Sequence, residues 1–172
     1  MDEQPRPVRA NAPGPSAAVS VLWQVPPDAV ARLQRSNSPI VGTVGMVVED
    51  SMYGITLSSL LRRWTKTVVQ VRANAVLARQ VVDAGGIGWV IIDNGLSGLE
   101  SGVDLARWLR ANHPSVLRVA HSGHTAAWME TLLDTDAEAY PGASPLFHAV
   151  VPKPIDATVL VAALAALRGA EA

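Results

Sequence analysis

After Gly42 the hydrophobic residues come in short runs that are separated by longer amphipathic segments. Five runs have the length and the apolar character of strands buried on both faces, as in parallel sheets. They span residues 43–48, 68–71, 89–92, 116–120 and 149–151. Five short apolar runs with amphipathic segments between them predict βα units around a parallel sheet.

The segments between the runs predict helices, because their apolar residues recur at helical spacing. These helices span residues 52–64, 75–84, 102–112, 126–133 and, from a cap at Asp156, residues 156–167. On the first helix we expect Ile55, Leu60, Leu61 and Trp64 to face one side, and on the second Val76, Leu77 and Val81. The fold class is therefore α/β, a doubly wound (βα)₅ unit with a central five-stranded parallel sheet.

Residues 1–42 differ in composition from the rest of the chain. Prolines and small residues dominate residues 1–18, a composition that cannot offset its ordering entropy by burial. Residues 19–23 could form a short strand, and Pro26-Pro27-Asp28 could open a short helix. We expect residues 1–42 to be a flexible or ancillary extension and residues 43–172 to be one domain.

Composition excludes several function classes. The chain has 172 residues, of which 49% are hydrophobic, and a formal net charge of -1, so it has no overall positive field for nucleic acid or an anionic membrane. Without cysteines it has no disulfides, thiolate metal sites or cysteine nucleophile. The longest apolar stretch, 158–167, is half of the roughly 20 residues that span a bilayer. With no secretory signal at the N-terminus, we expect a cytoplasmic protein.

Polar residues follow four of the five predicted strands. Glu49-Asp50 follows the first, Asp93 the third, Ser122 the fourth and Lys153 the fifth. The carboxyl ends of parallel strands share one sheet edge, where ligands bind. Three carboxylates there would repel one another unless a cation such as Mg²⁺ neutralised them. With a lysine and a hydroxyl beside them, the set suits phosphoryl transfer, with Asp93 as the nucleophile.

This ordered set resembles the receiver domain of two-component response regulators, over the chain from about residue 43. The resemblance is carried by residues 47–50, 90–93, 120–123 and 151–154. It implies a flavodoxin-like sheet of order 2-1-3-4-5. Taken alone, Glu49-Asp50 could be a helix cap and Asp93-Asn94-Gly95 a turn; together with Lys153 they favour the metal site.

The resemblance also implies roles for the individual residues. The metal shell would comprise Glu49, Asp50, Asp93 and the carbonyl of Gly95. Asp93 would accept the phosphoryl group, Ser122 would reach a phosphoryl oxygen, and Lys153 would contact the phosphorylated carboxylate. At positions that influence hydrolysis in the family, Gly95 would leave the phosphoryl group open to water and His124 would partly shield it.

The chain departs from the family pattern in three places. It lacks the usual Met-Pro after Asp93, and it is longer than usual between Ser122 and Lys153, where we expect a distorted fourth helix. Val150 stands three residues before Lys153, where the family commonly has Tyr or Phe, so the usual coupling between hydroxyl and aromatic ring is not expected.

We therefore expect a phosphoacceptor rather than a turnover enzyme. Its partners would be a histidine kinase or phosphotransfer protein, a downstream protein target and, through the face from the fourth helix to the fifth strand, a second copy of the chain. The chain could stand alone or be the receiver segment of a hybrid kinase.

Other functions remain as alternatives. One is a degenerate receiver that binds partners without phosphorylation. Another is an aspartyl-phosphate hydrolase of the haloacid dehalogenase type, although there the nucleophile would precede the other acids. A zinc site at His121-x-x-His124 and a hydrolytic triad at Asp93, Ser122 and His124 are both disfavoured. Against the triad, no G-x-S-x-G elbow surrounds the serine, and a triad would not need Glu49, Asp50 and Lys153 nearby.

Overall fold

The computed structural model describes residues 20–21, 44–49, 52–64, 68–96, 98–154 and 157–170. Strands and helices alternate along this part of the chain. In chain order they are β1 (Ser20–Val21), β2 (Val44–Val48), α1 (Met52–Trp64), β3 (Val69–Arg72), α2 (Ala75–Asp83), β4 (Ile87–Ile92), α3 (Gly102–Asn112), β5 (Leu117–Ser122), α4 (Ala126–Ala139), β6 (Ala149–Pro152) and α5 (Ala157–Ala170).

All strand pairs are parallel, and the sheet order is β3-β2-β4-β5-β6-β1. Counted from β2 onward, this is the predicted order 2-1-3-4-5, so the predicted fold is confirmed. The strand expected within residues 19–23 is also present. Ser20 pairs with Ala149 and Val21 with Val150, which adds a sixth strand beside β6. The other features predicted for residues 1–42 lie outside the described residues.

Successive strand residues point to opposite faces of the sheet, and helices bury both faces. In β2, Val47 packs with α1 and α5, whereas Met46 and Val48 pack with α2, α3 and the start of α4. The same alternation in β4 sends Ile91 to the first side and Ile92 to the second. Two helical layers therefore cover the sheet and leave the carboxyl ends of its strands as the accessible edge.

The inward faces predicted for α1 and α2 are partly wrong. On α1 the buried residues are Gly54, Leu57, Ser58 and Leu61, and Ile55 is 50% exposed. On α2 Val76 and Leu77 are exposed, and the helix packs through Ala75, Ala78 and Val82. The reason on α2 is that its small alanines let the backbone come close to the sheet, whereas Val76 lies on the same side of the helix as the polar residues Arg79, Gln80 and Asp83.

Helix α3 has the predicted bounds and buries Leu105, Ala106 and Leu109. A capping box fixes its start, since Ser101 and Asp104 each bond to the other's backbone N–H. The cap predicted at Asp156 for α5 lies outside the described residues.

The expected distortion of the fourth helix is wrong: α4 is longer than predicted and is continuous to Ala139. The extra chain before Lys153 is taken up by this regular helix and by the loop that follows. Buried Asp136 ties α4 to α3 through Arg107 and Arg110. The buried guanidinium of Arg118 donates to carbonyls of that loop, at Pro145 and Leu146. None of the helices in the described ranges has the length and hydrophobicity needed to cross a membrane.

Candidate functional site

The ends of β2 and β4 place Glu49 and Asp93 side by side. The N–H of Asp93 donates to the carbonyl of Val48 at 3.0 Å, and the N–H of Glu49 donates to the carbonyl of Arg72 at 3.1 Å. These bonds continue the sheet ladder past the last strand residues, so both carboxylates start from a fixed backbone. Rigid strand ends hold functional groups more precisely than free loops.

Lys153 joins the two carboxylates. Its backbone N–H donates to the carbonyl of Ser122 at 2.8 Å, which fixes the end of β6 beside that of β5. Its ammonium lies 2.5 Å from Glu49 Oε2 and 3.1 Å from Asp93 Oδ2. Three of the predicted site residues, from three different strand ends, are therefore in direct contact.

The backbone after Asp93 completes the environment of its carboxylate. The N–H of Gly95 donates to Asp93 Oδ1 at 3.0 Å, so each carboxylate oxygen has a donor. Helix α3 begins directly against this turn, and a Cβ built on Gly102 would lie 2.1 Å from the carbonyl oxygen of Asp93. Position 102 must therefore be glycine for α3 to pack here.

Ser122 is the last residue of β5 and its side chain is buried. Its Oγ accepts a hydrogen bond from the N–H of His124 at 3.1 Å. The serine hydroxyl thereby keeps its own hydrogen for donation to another group. The ring of His124 stacks on Trp128 of α4 at 4.0 Å between centroids.

The pKa values of the three charged groups shift in different directions. Burial, assisted by Asp93, raises the pKa of Glu49 against the effect of Lys153. Burial would also raise the pKa of Asp93, but the Gly95 N–H, Glu49 and Lys153 together hold it below its usual value. Burial opposes the charge of Lys153, yet the two carboxylates raise its pKa. Asp93 therefore stays ionised, and Glu49 is the group that resists ionisation.

The donor chemistry fits a hard divalent cation. Two carboxylates meet here with one ammonium between them, and carboxylate oxygens are the ligands that such a cation prefers. Asp50, the third predicted acid, lies outside the described residues. Within the described ranges no three His, Cys, Asp or Glu side chains are grouped so that they could hold a metal.

Two residues beside the site were not predicted to act together. Tyr53 Oη lies 2.8 Å from His121 Nε2, and His121 Nδ1 lies 3.0 Å from the carbonyl oxygen of Val151. A carbonyl only accepts, so Nδ1 carries the proton, and Tyr53 donates to Nε2. Burial is the main cause that lowers the pKa of His121 to about 4.

This arrangement decides between the roles considered for His121. Both of its ring nitrogens are hydrogen-bonded within the protein, which leaves none to ligate zinc with His124. The sequence could have drawn attention to His121, because it is a polar residue that directly follows apolar residues of the strand. Nothing in the sequence pointed to a tyrosine partner 68 positions away.

Comparison with solved structures shows the receiver fold. A LuxR-family DNA-binding response regulator from Staphylococcus aureus is 16% identical with a TM-score of 0.60, over 73% of this chain and 98% of that one. A receiver domain from Methylobacillus flagellatus is 25% identical with a TM-score of 0.58, over 73% and 98%. One from Methanospirillum hungatei JF-1 is 15% identical with a TM-score of 0.60, over 75% and 96%.

The comparisons by sequence add no relative. No family model matches the chain, and no curated protein matches it. The fold is that of the CheY-like response regulator receiver domains, reached with little sequence identity.

Proposed function

We propose that this chain is a receiver that accepts a phosphoryl group on Asp93 from a phosphohistidine donor, with Mg²⁺, and signals through protein contacts. The observation that carries the proposal is the ammonium of Lys153 between Glu49 and Asp93, 2.5 Å and 3.1 Å from their oxygens, at the carboxyl edge of a receiver fold. Both the ordered motif and this geometry support it.

The chemistry uses the environment of each residue. A carboxylate oxygen of Asp93 attacks phosphorus, the phosphorus–nitrogen bond of the donor breaks, and the imidazole leaves with a proton from solvent. The lowered pKa of Asp93 keeps it ionised for this attack. Lys153 offsets the negative charge beside the acyl phosphate, and the Ser122 hydroxyl donates to a phosphoryl oxygen.

Glu49 and Asp93 would hold Mg²⁺ together with Asp50 and the carbonyl of Gly95. When bound, the ion offsets charge on the transferring phosphoryl oxygens. The partners that follow are a histidine kinase or phosphotransfer protein, a downstream protein target and a second copy of the chain.

Intact mass tests the proposal. The chain is treated with acetyl phosphate and Mg²⁺, alongside Asp93→Asn and the control Asp134→Asn, which changes an exposed aspartate of α4. We expect the wild type and the control to gain the mass of one phosphoryl group, and Asp93→Asn or added EDTA to prevent the gain. Equal labelling of Asp93→Asn would refute the assignment of Asp93.

One observation favours a second candidate, a receiver that works without phosphorylation. Val150 is fully packed in β6 at the position where the family commonly has an aromatic ring. A valine in that place has no ring to rearrange. A wild type that takes no label from either acetyl phosphate or a phosphohistidine protein would support this candidate.

A further inference from the structure

Lys153 touches an aromatic ring as well as two carboxylates. Its ammonium lies 4.9 Å from the centroid of the Tyr53 ring, in the first turn of α1. An ammonium over a ring face is attracted by the negative face of the π-system. Because a lysine side chain has four flexible carbons, this contact restricts where the charge can lie.

Tyr53 is itself held in place. Its hydroxyl donates to His121 Nε2 at 2.8 Å, and the two rings stack with centroids 5.6 Å apart. His121 then donates from Nδ1 to the carbonyl of Val151, two residues before Lys153. The contacts form a closed path, from the ammonium of Lys153 through both rings and back to the strand that carries Lys153.

His121 does not lie on the same face of the sheet as Ser122, the residue proposed to contact a phosphoryl oxygen. His121 and Ser122 are consecutive strand residues, so their side chains point to opposite faces of the sheet. His121 faces α1 and is only 1% exposed. Its contribution to the site therefore runs through Tyr53 and the β6 backbone.

We infer that Tyr53 and His121 are positioning residues that hold the Lys153 ammonium beside Asp93. The inference rests on the proposed function, because it assigns a purpose to a contact with the phosphoacceptor. Tyr53 supplies the ring that restrains the ammonium, and His121 fixes the angle of that ring. Loss of the ring leaves the ammonium with the two carboxylates alone.

The test separates the ring from its hydroxyl. Tyr53→Phe keeps the ring, Tyr53→Leu removes it, and Ile55→Ala is the control, because Ile55 is half exposed on the same helix. NMR of the Lys153 ε-methylene protons reports the ring directly. We expect an upfield ring-current shift in wild type, Tyr53→Phe and Ile55→Ala, and its loss in Tyr53→Leu.

The rate of labelling by acetyl phosphate with Mg²⁺ is the second readout. We expect a rate about twofold to fivefold lower in Tyr53→Leu, the range for one cation–π contact, and no change in Ile55→Ala. His121→Leu should also slow labelling, and His121→Gln, which keeps a donor and an acceptor, should restore it. Thermal unfolding of each variant verifies that it is folded.

The two readouts distinguish the possible failures. If the wild type takes no label, the proposed function fails, and the NMR shifts still decide whether Tyr53 holds Lys153. If the wild type is labelled and Tyr53→Leu leaves either the Lys153 shifts or the labelling rate unchanged, the positioning role is overturned.

Discussion

Lowering the pH from 7 to 5 should destabilise this protein through His121. The ring is buried, its Nδ1 donates to Val151 and its Nε2 accepts from Tyr53. Protonation would add a charge where water is excluded and would displace the hydrogen bond from Tyr53. Burial, together with the charge of Lys153, therefore lowers the pKa of His121 from 6.5 to about 4 in the folded state.

The direction and size of the effect follow from proton linkage. Between pH 6.5 and about 4 the unfolded chain carries the proton on His121 and the folded chain does not. The contribution of neutral His121 to the unfolding free energy is thus fully present above pH 6.5. It decreases as the pH falls towards 4, by at most ~1.4 kcal/mol per pH unit. From pH 7 to 5 the loss from this one group comes to about 2 kcal/mol.

Urea unfolding of wild type and His121→Gln at pH 7 and pH 5 measures this contribution. Glutamine offers a donor and an acceptor but does not titrate. We expect the wild type to lose about 2 kcal/mol more than the variant between the two pH values. Equal losses in the two proteins would refute the assignment of a buried neutral histidine.

Three further predictions concern the site and the fold. Glu49→Gln should raise the unfolding free energy at pH 7 without Mg²⁺, because the raised pKa of Glu49 means that its ionised form is disfavoured in the folded protein. The same variant should show a smaller increase of melting temperature when Mg²⁺ is added. Gly102→Ala should lower the unfolding free energy by about 3 kcal/mol or more, since its Cβ would lie 2.1 Å from the Asp93 carbonyl oxygen. The control Gly123→Ala should be nearly neutral, because its Cβ would meet no atom within 4 Å. Arg118→Met should cost about 3 kcal/mol, because it leaves buried carbonyls without their donor, and hydrogen exchange should rise in the loop after α4.

The strands, and the polar residues that follow them, were predictable because both depend on local sequence. A run such as residues 89–92 is apolar throughout only if both faces are covered, and the charged Asp93 directly after it marks the end of the strand. That Asp93 and Lys153 lie at the same edge of the sheet follows from the parallel topology, and the length of the lysine side chain lets its ammonium reach Asp93 across the end of β5.

The helix faces and the ring network depend on tertiary packing, which the pattern does not contain. Val76 and Leu77 are apolar but exposed, because the alanines of α2 pack against the sheet instead. Tyr53 and His121 meet across 68 positions, so neither residue signals the other in the sequence. The pairing of Ser20–Val21 with β6 likewise could not be inferred from two residues.

The most direct test of the central claim is to locate the phosphoryl group on the chain. After labelling with acetyl phosphate and Mg²⁺, borodeuteride reduction converts a phosphoaspartate into deuterated homoserine, which peptide mass spectrometry assigns to a position. We predict deuterated homoserine at position 93 and at no other position. Deuterium at another aspartate, or phosphate retained on a histidine or serine, would contradict the assignment of Asp93 as the phosphoacceptor.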